Sequence, residues 1–375
     1  MASADVLLPS SVPAFGVAKR KFQVDELLSE RSTMRVPRKV TFEPEKHLIY
    51  EEPKKVWSMA DIGMTDKGIS PTAVSEPFPL FSQEAIEQMR AEILSDAVQE
   101  NCKYSSNIAK SQLRGFAPRF APFVYDAWNS PEVLSIVSKI AGVELVPQFD
   151  LEIAHINLSS TTGDREEKAH RDADEGISGC PVDDDTPIVD WHTDSYPFVC
   201  VIMLSDCTNM VGGETALRKA DGSIMKVRGP GMGHAVVMQG RYIEHQAMKA
   251  TGTTERITMV TSFRPKSAFI KDDTVLTTVR SISDLSELYS QYAEYRLDIL
   301  EERTRAHLRE VRDRKRAGRG FDTASTKAWI SEQKKFLESM LREMVDDDQV
   351  IKGYTDDSHL LSEASKADLR KRARI

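Results

Sequence analysis

At 375 residues the chain is long enough to bury a full core and to hold one large or two modest domains. Apolar content of 40% and charged content of 29% read as globular, and a net charge of −8 argues against general nucleic-acid binding, which needs a basic face to neutralise phosphates. No apolar run approaches a membrane span, the opening residues lack a basic stretch followed by a long apolar core, and four scattered cysteines without a C-x-x-C pair suggest neither a disulfide framework nor a zinc knuckle. A cytoplasmic protein is expected.

Residues 1–55 mix charges, prolines and short apolar pieces and read as an N-terminal arm, either packed on the core or loose. Within it, 22–28 suit a short helix and 39–42 a strand. Residues 56–280 read as the main domain, beginning with helices. Ser82 is an expected N-cap for an amphipathic helix with Ile86, Met89, Ile93, Leu94 and Val98 on one stripe. Residues 111–122 read as irregular and cationic, with Arg114 and Arg119 set among Phe116 and Phe120. Ser130-Pro131-Glu132 then opens a helix running through Ile140 and stopped by Gly142.

From there the pattern turns to strands. Residues 145–158 suit one long extended segment. Residues 159–187 are polar, acidic and too long for a plain turn, so they read as a lid over a site or as an acidic surface insertion. Strands are expected at 190–204, 213–218, 223–228, 233–239, 241–248 and 255–264, and strands at such short spacing point to a barrel or a jelly roll. Gly229-Pro230-Gly231-Met232-Gly233 precedes no helix and reads as a hairpin turn, not a phosphate cradle.

Residues 281–375 read as a C-terminal helical extension. Leu285, Leu288, Tyr292, Leu300 and Val311 mark one long amphipathic helix, Gly318-Arg319-Gly320 breaks it, and Trp329, Phe336, Met340 and Met344 mark a second. The helical pair is expected to lie against the barrel, to cover the site, or to join a second subunit in a homodimer. The basic runs at 312–316 and 370–374 read as solvated helix ends.

The chemistry gathers in Asp190-Trp191-His192-Thr193-Asp194, which runs into the apolar, β-branched residues 198–204. Residues i and i+2 of a strand share a face, so the His192 imidazole and the Asp194 carboxylate are expected to converge, with His245 on a second strand completing the set. Two histidines and one carboxylate with open positions suit non-haem Fe(II); zinc with three protein ligands is the competing metal. Arg256 follows His245 by eleven residues across a turn. A guanidinium there grips a carboxylate through two parallel hydrogen bonds, and Thr258 on the same face adds a hydroxyl. The plainer use of Arg256 is an ion pair with Glu255.

His-x-Asp, a distal His and then Arg-x-Thr resemble the Fe(II)/2-oxoglutarate-dependent dioxygenases. The Gly212-Gly213-Glu214-Thr215 turn and the 240–245 segment look like their prolyl-hydroxylase-like branch as it appears in fungi, over roughly residues 75–266. The resemblance implies an α+β fold, a double-stranded β-helix or jelly roll with flanking helices. It implies Fe(II) on His192, Asp194 and His245, with 2-oxoglutarate as co-substrate on Arg256 and Thr258, and O2. It implies decarboxylation to succinate and CO2 coupled to oxidation of an unactivated C–H bond, by hydroxylation, desaturation or ring closure. Asn157 is a further candidate for the co-substrate; Arg241, which on an extended strand shares parity with His245, and His155 and Tyr196 are weaker candidates for substrate contact. The expected substrate is a small molecule, an amino acid or a secondary metabolite. The competing readings are a protein or peptide hydroxylase and a catalytically silent jelly-roll protein that binds a metal or ligand.

Overall fold

The computed structural model describes residues 40–160, 187–227, 231–251 and 255–372. Val36–Ile375 gather into one compact unit, which therefore includes the C-terminal helices. The helix expected at 22–28 and all but the ends of the expected lid, residues 161–186, lie outside the described residues. No strand forms at 40–42.

Two antiparallel sheets carry the unit, mixed with helices. The strands that matter here are β1 (Thr72–Ser75), β2 (His155–Ser160), β3 (Pro187–His192), β4 (Phe198–Met203), β5 (Thr215–Arg218), β6 (Ile224–Val227), β7 (His234–Met238), β8 (His245–Met248) and β9 (Glu255–Pro265). Among the described residues the larger sheet runs 56–58, β1, β7, β4, β9, β2, 112–113, 103–104. The smaller runs β6, β5, β8, β3. The chain changes sheet between β2 and β3, between β3 and β4, between β4 and β5, between β6 and β7, and again on each side of β8.

Period-2 alternation gives the larger sheet two different faces. Phe198, Cys200 and Ile202 of β4, with Ile257, Met259 and Phe263 of β9, enter the main hydrophobic core. Their alternates, Val199, Val201, Arg256, Thr258, Val260 and Ser262, line a cavity shared with the smaller sheet. Helices α1 (Gln83–Ile93), α2 (Pro122–Asn129) and α3 (Pro131–Ala141) cover the outer face. They contribute Ile86, Met89, Trp128, Val133 and Val137 to that core. The expected caps hold. The Ser82 and Ser130 hydroxyls accept from Ala85 and Val133 amides, and Gly142 ends α3 at φ 69°, a left-handed conformation that glycine adopts without strain.

Several expected elements are divided. The strand at 190–204 becomes β3 and β4 in different sheets, with 193–197 irregular between them. Pro197 has no N–H for a ladder and marks the break. The segment 145–158 breaks into Leu145–Pro147, a 3-10 turn at Asp150–Glu152, and β2. Ala154 takes φ 65° there, and the resulting bend lets both pieces pair with the same long β9. The expected 241–248 strand is only β8, since 240–243 form a turn. The hairpin turn expected at 229–233 lies partly outside the described residues; the strands on either side, β6 and β7, belong to different sheets.

The two long C-terminal helices are α4 (Leu285–Arg316) and α5 (Thr323–Glu343). Leu288, Tyr292, Tyr295 and Ile299 of α4 pack with Phe336 and Met340 of α5 and with Leu151 and Tyr196. Buried Arg296 adds an ion pair to Asp272 at 3.0 Å. A short helix α6 (Glu363–Arg372) follows.

Candidate metal centre and its cavity

His192 and His245 stand opposite each other in the β3–β8 pairing, so the sheet register itself brings the two rings together, with centroids 4.2 Å apart. Asp194 does not share their sheet. It sits in the crossover after β3, where its amide donates to the Gly240 carbonyl at 3.0 Å. The convergence expected from strand alternation is therefore reached by another route, a turn that swings the carboxylate back over the end of β3. Asp194 Oδ1 lies 3.7 Å from His192 Nε2 and 3.6 Å from His245 Nε2. One candidate ligand atom from each residue lies within 4.8 Å of the others.

Three features fit this trio to a cation. Each histidine donates its Nδ1–H to a carbonyl two residues earlier, His192 to Asp190 at 2.7 Å and His245 to Ile243 at 2.9 Å. That fixes the tautomer and leaves both Nε2 lone pairs facing inward. Asp194 Oδ2 is buried without a hydrogen-bond partner, an arrangement that costs free energy unless something positive meets it. Burial first, and His192 second, push the His245 pKa down to about 4, keeping it neutral and ready to donate.

Arg256 lies further along the same cavity. It is buried, its Nε has no hydrogen-bond partner, and burial lowers its pKa to about 10, so it stays charged at neutral pH. The neighbouring Glu255 pairs instead with Arg90 at 2.6 Å, and among the described residues no carboxylate takes Arg256. A buried guanidinium with open donors is a receptor for a carboxylate. Thr258, buried on the same strand face, also lines the cavity.

The cavity holds about 170 Å³ and draws its walls from both sheets. Asn157, His155 and Tyr196 all line it together with the trio, Arg256 and Thr258. Arg241 does not. It lies in the 240–243 turn, so the parity it was expected to share with His245 is absent, and its side chain donates to the Asp273 carbonyl at 2.9 Å and the Thr193 hydroxyl at 3.4 Å.

The far wall carries residues the sequence did not single out. Arg114, read as part of an irregular cationic stretch, is fully buried and forms a two-pronged pair with Glu152, which also accepts from the Tyr196 hydroxyl. His155 bonds Gln112 Oε1 through Nε2 at 2.9 Å and faces Arg114 through Nδ1 at 3.5 Å. Its side chain is part-buried and lines the cavity, and burial first and Arg114 second lower its pKa to about 3. Arg114, Glu152 and Tyr196 lie on separate segments of the chain that the fold brings together. Nothing in their local spacing announces it.

No family model matches the chain, and no curated protein matches it. Among solved structures it is similar to a prolyl-4-hydroxylase from Pseudomonas putida, at 14% identity and TM-score 0.34 over 56% of this chain and 98% of that one. It is similar to AviO1 from Streptomyces viridochromogenes Tue57, at 14% identity and TM-score 0.35 over 52% and 90%. It is also similar to an oxidoreductase of the 2OG-Fe(II) oxygenase family from Burkholderia pseudomallei, at 14% identity and TM-score 0.31 over 45% and 76%. Likeness at this level carries no functional weight, so function is argued from the site.

Proposed function

We propose that the protein is a non-haem Fe(II), 2-oxoglutarate-dependent oxygenase acting on a small molecule, built on a double-stranded β-helix. The observation that carries this reading is one cavity holding both a His-Asp-His trio with an unmet carboxylate oxygen and a buried arginine that no acid among the described residues neutralises. A zinc hydrolase has use for the first but none for the second. A metal-free binding module has no reason to bury Asp194 Oδ2 bare.

His192 and His245 offer their Nε2 lone pairs because their Nδ1–H groups are held by backbone carbonyls, and Asp194 offers its carboxylate. When bound, Fe(II) couples O2 activation to decarboxylation of 2-oxoglutarate and to removal of a hydrogen atom from substrate. Arg256 binds the remote carboxylate of the keto acid, and Thr258 donates its hydroxyl to the same group. Val189, Val199, Val201 and Val260 line the space between. They keep water away from the guanidinium, which strengthens its pairing with the co-substrate. Asn157 reaches the same space from β2 and serves as a further polar contact for the keto acid. His155 and Tyr196 form the wall against which the substrate lies. A cavity of about 170 Å³ suits a compact ligand better than a peptide in a groove.

Anaerobic addition of Fe(II) and 2-oxoglutarate to the purified protein should give a visible metal-to-ligand charge-transfer band. That band should be absent in His192→Ala, Asp194→Ala and His245→Ala. Succinate release across a panel of amino acids and small metabolites then identifies the substrate. A protein that takes up Fe(II) fully in all three variants overturns the assignment.

A further inference from the structure

The two histidines occupy an exposed weakness of the fold. His192 is the last residue of β3 and His245 the first of β8, so both stand at the end of their shared ladder. That ladder is irregular, with register shifts between His245 and Ala247 and again between Ala247 and Met248. Strand ends joined by an interrupted ladder open more easily than regular ones. A metal needs its ligands held to within about half an ångström. Something beyond the ladder must hold them.

Behind them lies α6. The residues on either side of His245, Glu244 and Gln246, point away from its face, and α6 grips both; on β3 it grips Asp190, two residues before His192, where the ladder is irregular. Glu244, just before His245, receives the Ser362 amide, the Ser362 hydroxyl at 2.7 Å and the Ser365 hydroxyl at 2.5 Å. Its carboxylate thus sits at the helix N-terminus, where the helix dipole favours negative charge. Arg372, at the other end of α6, spans the two strands, reaching Asp190 at 2.9 Å on β3 and Gln246 at 3.2 Å on β8. Asp190 is also the residue whose carbonyl fixes the His192 tautomer. Arg218 of β5, whose amide donates to the Glu244 carbonyl, bonds Ser365 at 2.8 Å and Asp368 at 2.6 Å and lies 4.3 Å over the ring of Trp191.

We propose that α6 is a splint for the metal centre, holding the two histidine-bearing strands in register from behind through Glu244, Arg218 and the Asp190–Arg372–Gln246 bridge. Its residues are positioning residues, since none touches the cavity. This rests on the metal reading above, and the test separates the two. Co(II) is the probe, titrated into the full-length apo protein and followed by its visible absorption.

Wild type should bind one Co(II) at the trio. Arg372→Ala and Ser365→Val should weaken Co(II) binding by about ten- to a hundredfold, the usual effect of removing a partner behind a ligand. Arg372→Lys, which keeps the charge but not the fork, should recover part of the loss. Arg372 is partly solvated and surface pairs contribute little to stability, so the apo melting temperature of Arg372→Ala should stay within about 2 °C of wild type. Affinity lost while apo stability holds is what a splint predicts and a general folding role does not. Unchanged Co(II) affinity in both variants, with wild type binding at the trio, overturns the splint alone. Absence of Co(II) binding in wild type overturns the splint together with the metal reading.

Discussion

Gly240 holds Asp194 from two sides. Its carbonyl accepts the Asp194 amide at 3.0 Å, and a β-carbon built on it would stand 1.8 Å from Asp194 Oδ2. The carboxylate occupies the place of the missing side chain. The first residue of the 240–245 segment is therefore as much a part of the site as the histidine at its end.

Gly240→Ala should accordingly drive the Asp194 carboxylate out of line with His192 and His245. The expected result is loss of most Fe(II) or Co(II) binding with the fold intact, because only one carboxylate must move. Metal titration and far-UV circular dichroism on the same sample check it. Wild-type affinity in Gly240→Ala would mean that Asp194 is not a ligand in the pose described.

Arg256 gives a prediction with two opposite signs. Burial with no acid beside it among the described residues holds its pKa down at about 10, below the ordinary guanidinium range, a destabilisation on the order of 3 kcal/mol in the ligand-free protein. Arg256→Met should raise the apo melting temperature while reducing 2-oxoglutarate affinity by on the order of a hundredfold or more. Metal uptake should be unaffected. Calorimetry with and without 2-oxoglutarate measures both effects. A variant that melts lower and still binds the keto acid would show Arg256 to be a structural residue.

Much of this site was legible, and for a local reason. His192, Asp194, His245, Arg256 and Thr258 lie in two short stretches, and one cavity gathers them all. The route was misread. Alternation along one continuous strand was expected to join His192 to Asp194, but that strand ends at His192 and the chain turns through 193–197 into the other sheet. The same error gave Arg241 a parity it does not have. Arg114 and Glu152 stayed hidden because burial of a charged residue is a property of the folded whole. Their local sequence reads as an irregular cationic stretch and an extended segment, and only the tertiary fold shows the pairing. α6 was hidden likewise: a basic run at a helix end usually faces water, yet Arg372 reaches back to both metal strands.

The buried Arg114–Glu152 pair should behave as one unit. Glu152→Ala alone leaves a fully buried guanidinium without its acid and should cost about 3–5 kcal/mol. Adding Arg114→Met removes the stranded charge, so the double variant should be more stable than the Glu152→Ala single variant. Urea denaturation of wild type, both singles and the double gives the coupling directly. Simple additivity would mean that the two side chains do not depend on each other.

His155 ties the far wall of the cavity to pH. Its folded pKa is about 3, lowered first by burial and then by Arg114, against about 6.5 in the unfolded chain. Between those values the unfolded state binds a proton that the folded state refuses, so stability falls as pH falls. The contribution is fully present above pH ~6.5, declines by about 1.4 kcal/mol per pH unit below it, and levels off near the folded pKa. By pH 5 the loss from this one residue is about 2 kcal/mol. His245, with its pKa lowered to about 4, adds a loss of the same sign in the metal-free protein. His155→Gln removes the first contribution and leaves the second, while keeping a side-chain amide within reach of Gln112. Urea unfolding of the metal-free variant at pH 7.5 and 5.0 should therefore give a smaller acid-induced drop than wild type, by about 2 kcal/mol. Equal drops in the two proteins would mean that His155 takes up its proton in the folded state as readily as in the unfolded chain, and is not the neutral, cavity-facing wall described here.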